Sequence, residues 1–172
     1  MLYKNKWSFQ SRCQGKLNMY EYKCKIRRVV DGDTVDVDID LGFGIVLANE
    51  RVRVMGIDTP ESRTRDLDEK VFGLAAKNRL TELLSGDECI LCTTKDRSGE
   101  DERGKFGRVL GDFKVQYNGE SRLVTEIMIE EGHAVPYHGG SKDDLIEQHM
   151  LNRERLISEG KAVLPSSFSI GK

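Results

Sequence analysis

Asp33 and Asp58 each fall beside a β-patterned run, Val29-Val30-Asp31-Gly32-Asp33-Thr34-Val35 and Arg53-Val54-Met55-Gly56-Ile57-Asp58-Thr59-Pro60-Glu61. Carboxylates are hard oxygen donors, so two of them converging from separate strands would suit one Ca²⁺ or Mg²⁺. Glu61 follows the second carboxylate across a proline, whose ring restricts the backbone between them. Arg53 opens the same run, and Lys105-Phe106-Gly107-Arg108 supplies a second arginine with no helical ion-pair partner nearby. Two aspartates, one glutamate and two arginines are the side chains that metal-assisted phosphodiester hydrolysis requires.

Each group also has a purely structural use. Aspartates next to glycine close turns through their own side-chain hydrogen bonds. Arg53 shares its alternation with Met55 and Ile57, which predicts a partly inward guanidinium. Such a cation needs an anion, and a substrate phosphate or a neighbouring carboxylate would serve. Asp36-x-Asp38-x-Asp40 invites a calcium-loop reading, but Leu41 stands where that loop needs glycine and Leu47 where it needs glutamate. These three aspartates are expected on the solvated face of a strand. For Asp33 and Asp58, the conjunction with Glu61 and both arginines favours ligands over turn caps.

Other candidate metal sites fail on geometry. Cys89 and Cys92 have knuckle spacing, yet they lie in a run rich in strand formers, where residues three apart face opposite ways. Neither they nor Cys13 and Cys24 assemble a tetrahedral set, so the strand cysteines are expected to be buried as small hydrophobes. His133, His138 and His149 are scattered and do not support a histidine-metal nuclease.

The elements that must position these groups show in the patterning. Tyr22, Cys24, Ile26 and then Val35, Val37, Ile39 alternate with charged residues, predicting two half-buried strands around Asp31-Gly32. Ile45-Val46-Leu47 leads to a third strand over 51–57, and Asn118-Gly119 joins strands 113–117 and 120–124 as a hairpin. Helices are predicted over 69–84, with Phe72, Ala76, Leu80, Leu83 and Leu84 inward, and over 126–131, stopped by Gly132. A third starts from Ser141-x-x-Asp144 and buries Ile146, Met150 and Ile157 up to Gly160. The expected fold is α+β, a five-stranded barrel of the OB type with about three helices.

From about Tyr22 to Gly160, the three stretches Asp31-Gly32-Asp33-Thr34, Arg53 to Glu61 and Lys105 to Arg108, in this order, resemble the staphylococcal nuclease (thermonuclease) family. The resemblance implies that Asp33, Asp58 and the Thr59 carbonyl hold Ca²⁺, ahead of Mg²⁺ or Mn²⁺. It implies that Glu61 activates the attacking water and that Arg53 and Arg108 grip the scissile phosphate. Lys105, Phe106 and Tyr137 are the candidate substrate contacts; Phe106 replaces a tyrosine common in the family, keeping stacking while losing a hydroxyl. The implied reaction is cleavage of single- or double-stranded DNA or RNA with little sequence choice, leaving 3′-phosphate ends. A non-catalytic nucleic-acid-binding module on the same fold is the alternative, although such modules typically lose the carboxylates or arginines.

Composition agrees with one domain. The 172 residues are 38% hydrophobic, enough for a single core, and the formal net charge of −2 excludes a protein that coats nucleic acid electrostatically. Residues 1–18 lack pattern and are expected to be an arm, with Met19 an alternative start. Residues 19–164 form the expected nuclease domain, and 165–172 a flexible tail. No apolar stretch has transmembrane length and the first residues lack a secretion signal, so the expectation is an intracellular monomer without a membrane partner.

Overall fold

The computed structural model describes residues 19–86, 89–94, 103–104, 107–139 and 143–165. Lys105, Phe106, Ser141, the arm over 1–18 and nearly all of the tail lie outside the described residues.

Alternating apolar positions build β1 (Met19–Asp31), β2 (Thr34–Gly42) and β3 (Ile45–Val54), three consecutive antiparallel strands. After the short β4 (Ile57–Asp58) comes helix α1 (Leu67–Leu83). Then β5 (Cys89–Thr94) pairs with the free side of β1, and β6 (Val109–Tyr117) pairs with β5. Because β6 also runs parallel beside β3, the order β3-β2-β1-β5-β6 closes into a five-stranded barrel. The remaining elements among the described residues are β7 (Glu120–Leu123), α2 (Val124–Glu130), β8 (Val135–Pro136), a 3-10 turn (Asp143–Leu145) and α3 (Ile146–Ser158).

The core follows the predicted alternation: Val35, Val37, Val52, Val54, Leu91 and Phe113 are buried inside the barrel. Helix α1 closes it with Ala76 and Leu80, while Phe72 packs with Leu156 and Ala162 in a second cluster. Asp66 caps this helix, accepting from the backbone N–H of Asp68 and Glu69, so it begins two residues earlier than the periodicity alone predicts. Asn118 and Gly119 both adopt positive φ, the geometry a two-residue hairpin needs. Cys89 and Cys92 are buried and unlinked, as expected of strand residues.

Three expectations are corrected. The third strand stops at Val54, because the chain turns at Met55-Gly56, where Gly56 has φ +82°, and Ile57–Asp58 is a separate strand paired with β8. Val52 and Val54 take the core face, while Arg53 between them is partly buried, its side chain 17% exposed, in line with the partly inward guanidinium expected. Second, Asp36 and Asp38 are buried rather than solvated. Arg51 and Arg28 cover Asp36, while Arg27 and the Asn49 N–H hold Asp38, and these donors keep both carboxyls below the ordinary range. Third, Ile146, Met150 and Ile157 of α3 are exposed, at 56%, 56% and 42%. The buried register of this segment is instead Leu145, His149, Asn152 and Leu156, at helical spacing, with the two polar members half-buried.

Candidate active site

Glycines set the close approach of three segments. A Cβ on Gly32 would lie 2.8 Å from Thr59 Oγ1 and 2.9 Å from Ala76 Cβ, so the β1–β2 turn sits directly on the Asp58-Thr59 segment and on α1. A Cβ on Gly73 would lie 2.4 Å from the carbonyl carbon and oxygen of Glu61, so α1 presses its bare backbone against the Glu61 loop. Asp31 ties the same parts by hydrogen bonds: its Oδ1 accepts from Gly32 N at 2.9 Å and from Ser62 N at 3.3 Å.

Asp33 ends the turn and is held on both oxygens. Thr34 Oγ1 donates to Oδ1 at 2.8 Å, and Arg53 Nη2 lies 3.0 Å from Oδ2, with the two charged side chains only 16% and 17% exposed. Burial pushes the Asp33 carboxyl up, and the charges of Asp31 and Asp58 push the same way against the opposing pull of Arg53 and Thr34. Three carboxylates thus bear on one half-closed region. Asp58 is buried on β4, and its Oδ2 is 3.0 Å from His149 Nε2 on α3.

Arg53 is braced by backbone as well. It donates to the carbonyl oxygens of Val54 and, at 2.9 Å, of Ile57, spanning the Met55-Gly56 turn. A neighbouring carboxylate, one of the two anions its burial called for, is present in Asp33. Thr59 is buried, Glu61 is exposed, and Arg108 enters β6 after Gly107, whose φ is +70°. Arg108 lines a cleft of about 540 Å³ with Thr34, Asp36, Asn49, Arg51 and Gly107. Tyr137 is half-buried, and its N–H donates to Gly56 O at 2.9 Å beside the β4–β8 pair.

The structure therefore gathers Asp33, Arg53, Asp58, Thr59 and the backbone of Glu61 around one turn, with Arg108 across Thr34 and Tyr137 behind Gly56. Lys105 and Phe106 fall outside the described residues. Among the described residues, no three His, Cys, Asp or Glu side chains form a ready metal cage. The available protein donors are two or three carboxylates and backbone carbonyls, an all-oxygen set that fits a hard divalent cation completed by water. His149 and Asp31 were not among the residues the motifs nominate. The signal for His149 was its place four residues after Leu145 and seven before Leu156.

Residues 51–163 match the family described as Staphylococcal nuclease homologue, a span that includes Arg53, Asp58, Thr59, Glu61, Arg108 and Tyr137. A micrococcal nuclease of Shigella flexneri is 31% identical over 139 residues, covering 78% of this chain and 69% of that protein. A thermonuclease of Staphylococcus intermedius is 35% identical over 85 residues, 49% of this chain and 44% of the relative. The Escherichia coli protein ParB is 28% identical over 156 residues, 84% and 77% of the two chains.

Proposed function

The chain belongs to the staphylococcal nuclease homologue family, and we propose that it is a calcium-dependent nuclease whose centre is the turn that joins Asp33 to Arg53 and faces Asp58. The observation that carries this reading is the convergence of buried carboxylate charge on Asp33 beside a braced guanidinium. That arrangement would offer an oxygen site to a divalent cation and, beside it, hydrogen-bond donors to a phosphate.

Asp33, Asp58 and the Thr59 carbonyl would hold the ion, which supplies neutralisation of a phosphate oxygen and a more acidic water. Glu61, on the exposed loop just beyond, accepts the proton of the attacking water. Arg53 and Arg108 present rigid forks to the equatorial oxygens, gaining hydrogen bonds as charge grows on the pentacoordinate phosphorus. Because Val54 and Ile57 carbonyls already brace Arg53, its planar group is set before substrate arrives, which keeps the reorganisation on binding small. Tyr137 offers a face for base stacking. The substrates of this reading are DNA and RNA, single- or double-stranded, cleaved to 3′-phosphate ends.

A carboxylate pair plus carbonyls forms a flexible site of the kind Ca²⁺ tolerates better than Mg²⁺. Purified protein incubated with single-stranded DNA, duplex DNA and RNA should cleave with Ca²⁺ and stop in excess chelator. Undiminished cleavage in chelator would overturn the metal mechanism. Tight binding of the strands with no cleavage under any ion would identify a binding module instead.

A further inference from the structure

The face of the barrel that carries Arg53 continues as a row of charged residues across four strands. Arg28 on β1 stands opposite Asp36 on β2, and Asp36 stands opposite Arg51 on β3. Val52 pairs with Val109 in the parallel β3–β6 ladder; Arg51 and Arg108 immediately precede that pair on their two segments and line one cleft. The row is thus Arg28, Asp36, Arg51, Arg108: three guanidiniums and one carboxylate.

Asp36 requires one cation for its burial and has two. Arg51 Nε reaches its Oδ1 at 2.7 Å, and Arg28 Nη2 reaches its Oδ2 at 2.7 Å. Both guanidiniums nevertheless stay largely open, at 48% and 62% exposure. Asp38, one pair further from the site, pairs with Arg27 and accepts from the Asn49 N–H. Arg28 and Arg51 thus share a single carboxylate on the part of the sheet next to Arg53. The cleft of about 540 Å³ here is lined by Thr34, Asp36, Asn49, Arg51, Gly107 and Arg108.

Position along β3 relates this cleft to the chemistry. Arg51 and Arg53 are two residues apart, on the same face of one strand, hence about 7 Å apart along it. That step is comparable to the separation of successive phosphates along an extended nucleic-acid strand. We propose that the Arg51 cleft is a second phosphate subsite, receiving the phosphodiester next to the scissile one. Arg51 contacts that phosphate, and Arg28, held on Asp36, maintains the local positive charge. The proposal rests on the nuclease reading for its register and makes the substrate a strand of at least two phosphates.

The test is binding of a labelled oligothymidylate to variants in a Glu61→Gln background, by fluorescence anisotropy over a salt series. Arg51→Gln should weaken binding roughly threefold to tenfold and flatten the slope of log K against log salt by about 0.7, the loss of one single-strand phosphate contact. Asp36→Asn should act in the opposite direction, tightening binding, because it releases both arginines from their internal anion. Equal slopes for Arg51→Gln and its parent would overturn the subsite, leaving the row a structural ion network. If Arg51→Gln fails to melt cooperatively, Asp36→Asn decides, and no gain in affinity there overturns the proposal. Failure of the nuclease reading is separately visible, as absence of cleavage by the parent protein with the slope change intact.

Discussion

His149 Nε2 lies 3.0 Å from Asp58 Oδ2, joining the last helix to a carboxylate on the short strand at the candidate metal site. Both side chains are largely buried, at 16% and 8% exposure. Carboxylates that hold metals are commonly oriented by such an outer partner. His149→Ala should therefore weaken Ca²⁺ binding by roughly tenfold to a hundredfold, measured calorimetrically without substrate. His149→Gln, which retains a donor, should recover part of the loss. Calcium binding by His149→Ala at the parent affinity would show that the bond secures only α3.

Gly73 and Glu61 make the second contact on which the site depends. In an ordinary helix interior, alanine in place of glycine stabilises by about 1 kcal/mol. Here the added methyl would meet the Glu61 carbonyl at 2.4 Å, and backbone on both sides cannot move aside as a flexible side chain would. Gly73→Ala should lower the melting temperature and cut turnover by roughly 10²-fold through displacement of Glu61. A stabilised variant with full activity would mean that the Glu61 loop yields freely.

The barrel was legible because Val35, Val37 and Ile39 alternate cleanly and Asn118-Gly119 marks its own turn. Periodicity misled where polar groups are buried with partners. Asp36 and Asp38 look like a solvated face, yet arginines on β1 and β3 roof them, and those pairings are long-range facts that a local pattern cannot carry. In α3 Ile146, Met150 and Ile157 are exposed because the inward register serves a polar site as well as Leu156: His149 bonds Asp58, and Asn152 donates to the Ala134 carbonyl at 3.2 Å. Asp33, Asp58 and Arg53 were nominated by their order along the chain, and the fold places them around one turn. The Asp33–Arg53 pair itself depends on the Thr34–Arg53 register between β2 and β3.

Asp112 gives the fold a pH dependence separate from the site. Buried on β6, it accepts from Phe113 N and from both the hydroxyl and N–H of Thr125, anchoring the start of α2, whose own N-cap residue Leu123 provides no side-chain cap. Burial pushes its carboxyl up to about 7, only partly offset by the Thr125 and Phe113 donors. A folded-state pKa above the unfolded value, near 4, means that its contribution is fully present below pH 4 and is lost as pH rises through about 7. Urea unfolding at pH 5 and pH 8 should show the parent losing stability relative to Asp112→Asn across that interval. A constant difference between the two proteins would show that Asp112 is ionised throughout.

Glu61 and Arg53 are expected to separate catalysis from folding. Arg53 has three structural acceptors, Asp33 and the carbonyls of Val54 and Ile57, so substitutions there disturb the turn as well as the phosphate. Arg53→Lys keeps the charge but cannot span those acceptors with one ammonium, and should lose roughly 10²–10³ in rate together with some thermal stability. Glu61 stands exposed on its loop. Glu61→Gln keeps the shape and removes the proton acceptor, so turnover should fall roughly 10²–10⁴-fold while the melt and the oligonucleotide affinity stay near the parent values. A binding module on this fold would show affinity lost at Arg53 and nothing changed at Glu61. Turnover of Glu61→Gln at the parent rate would remove Glu61 as the base and, with it, the proposed route for the water proton.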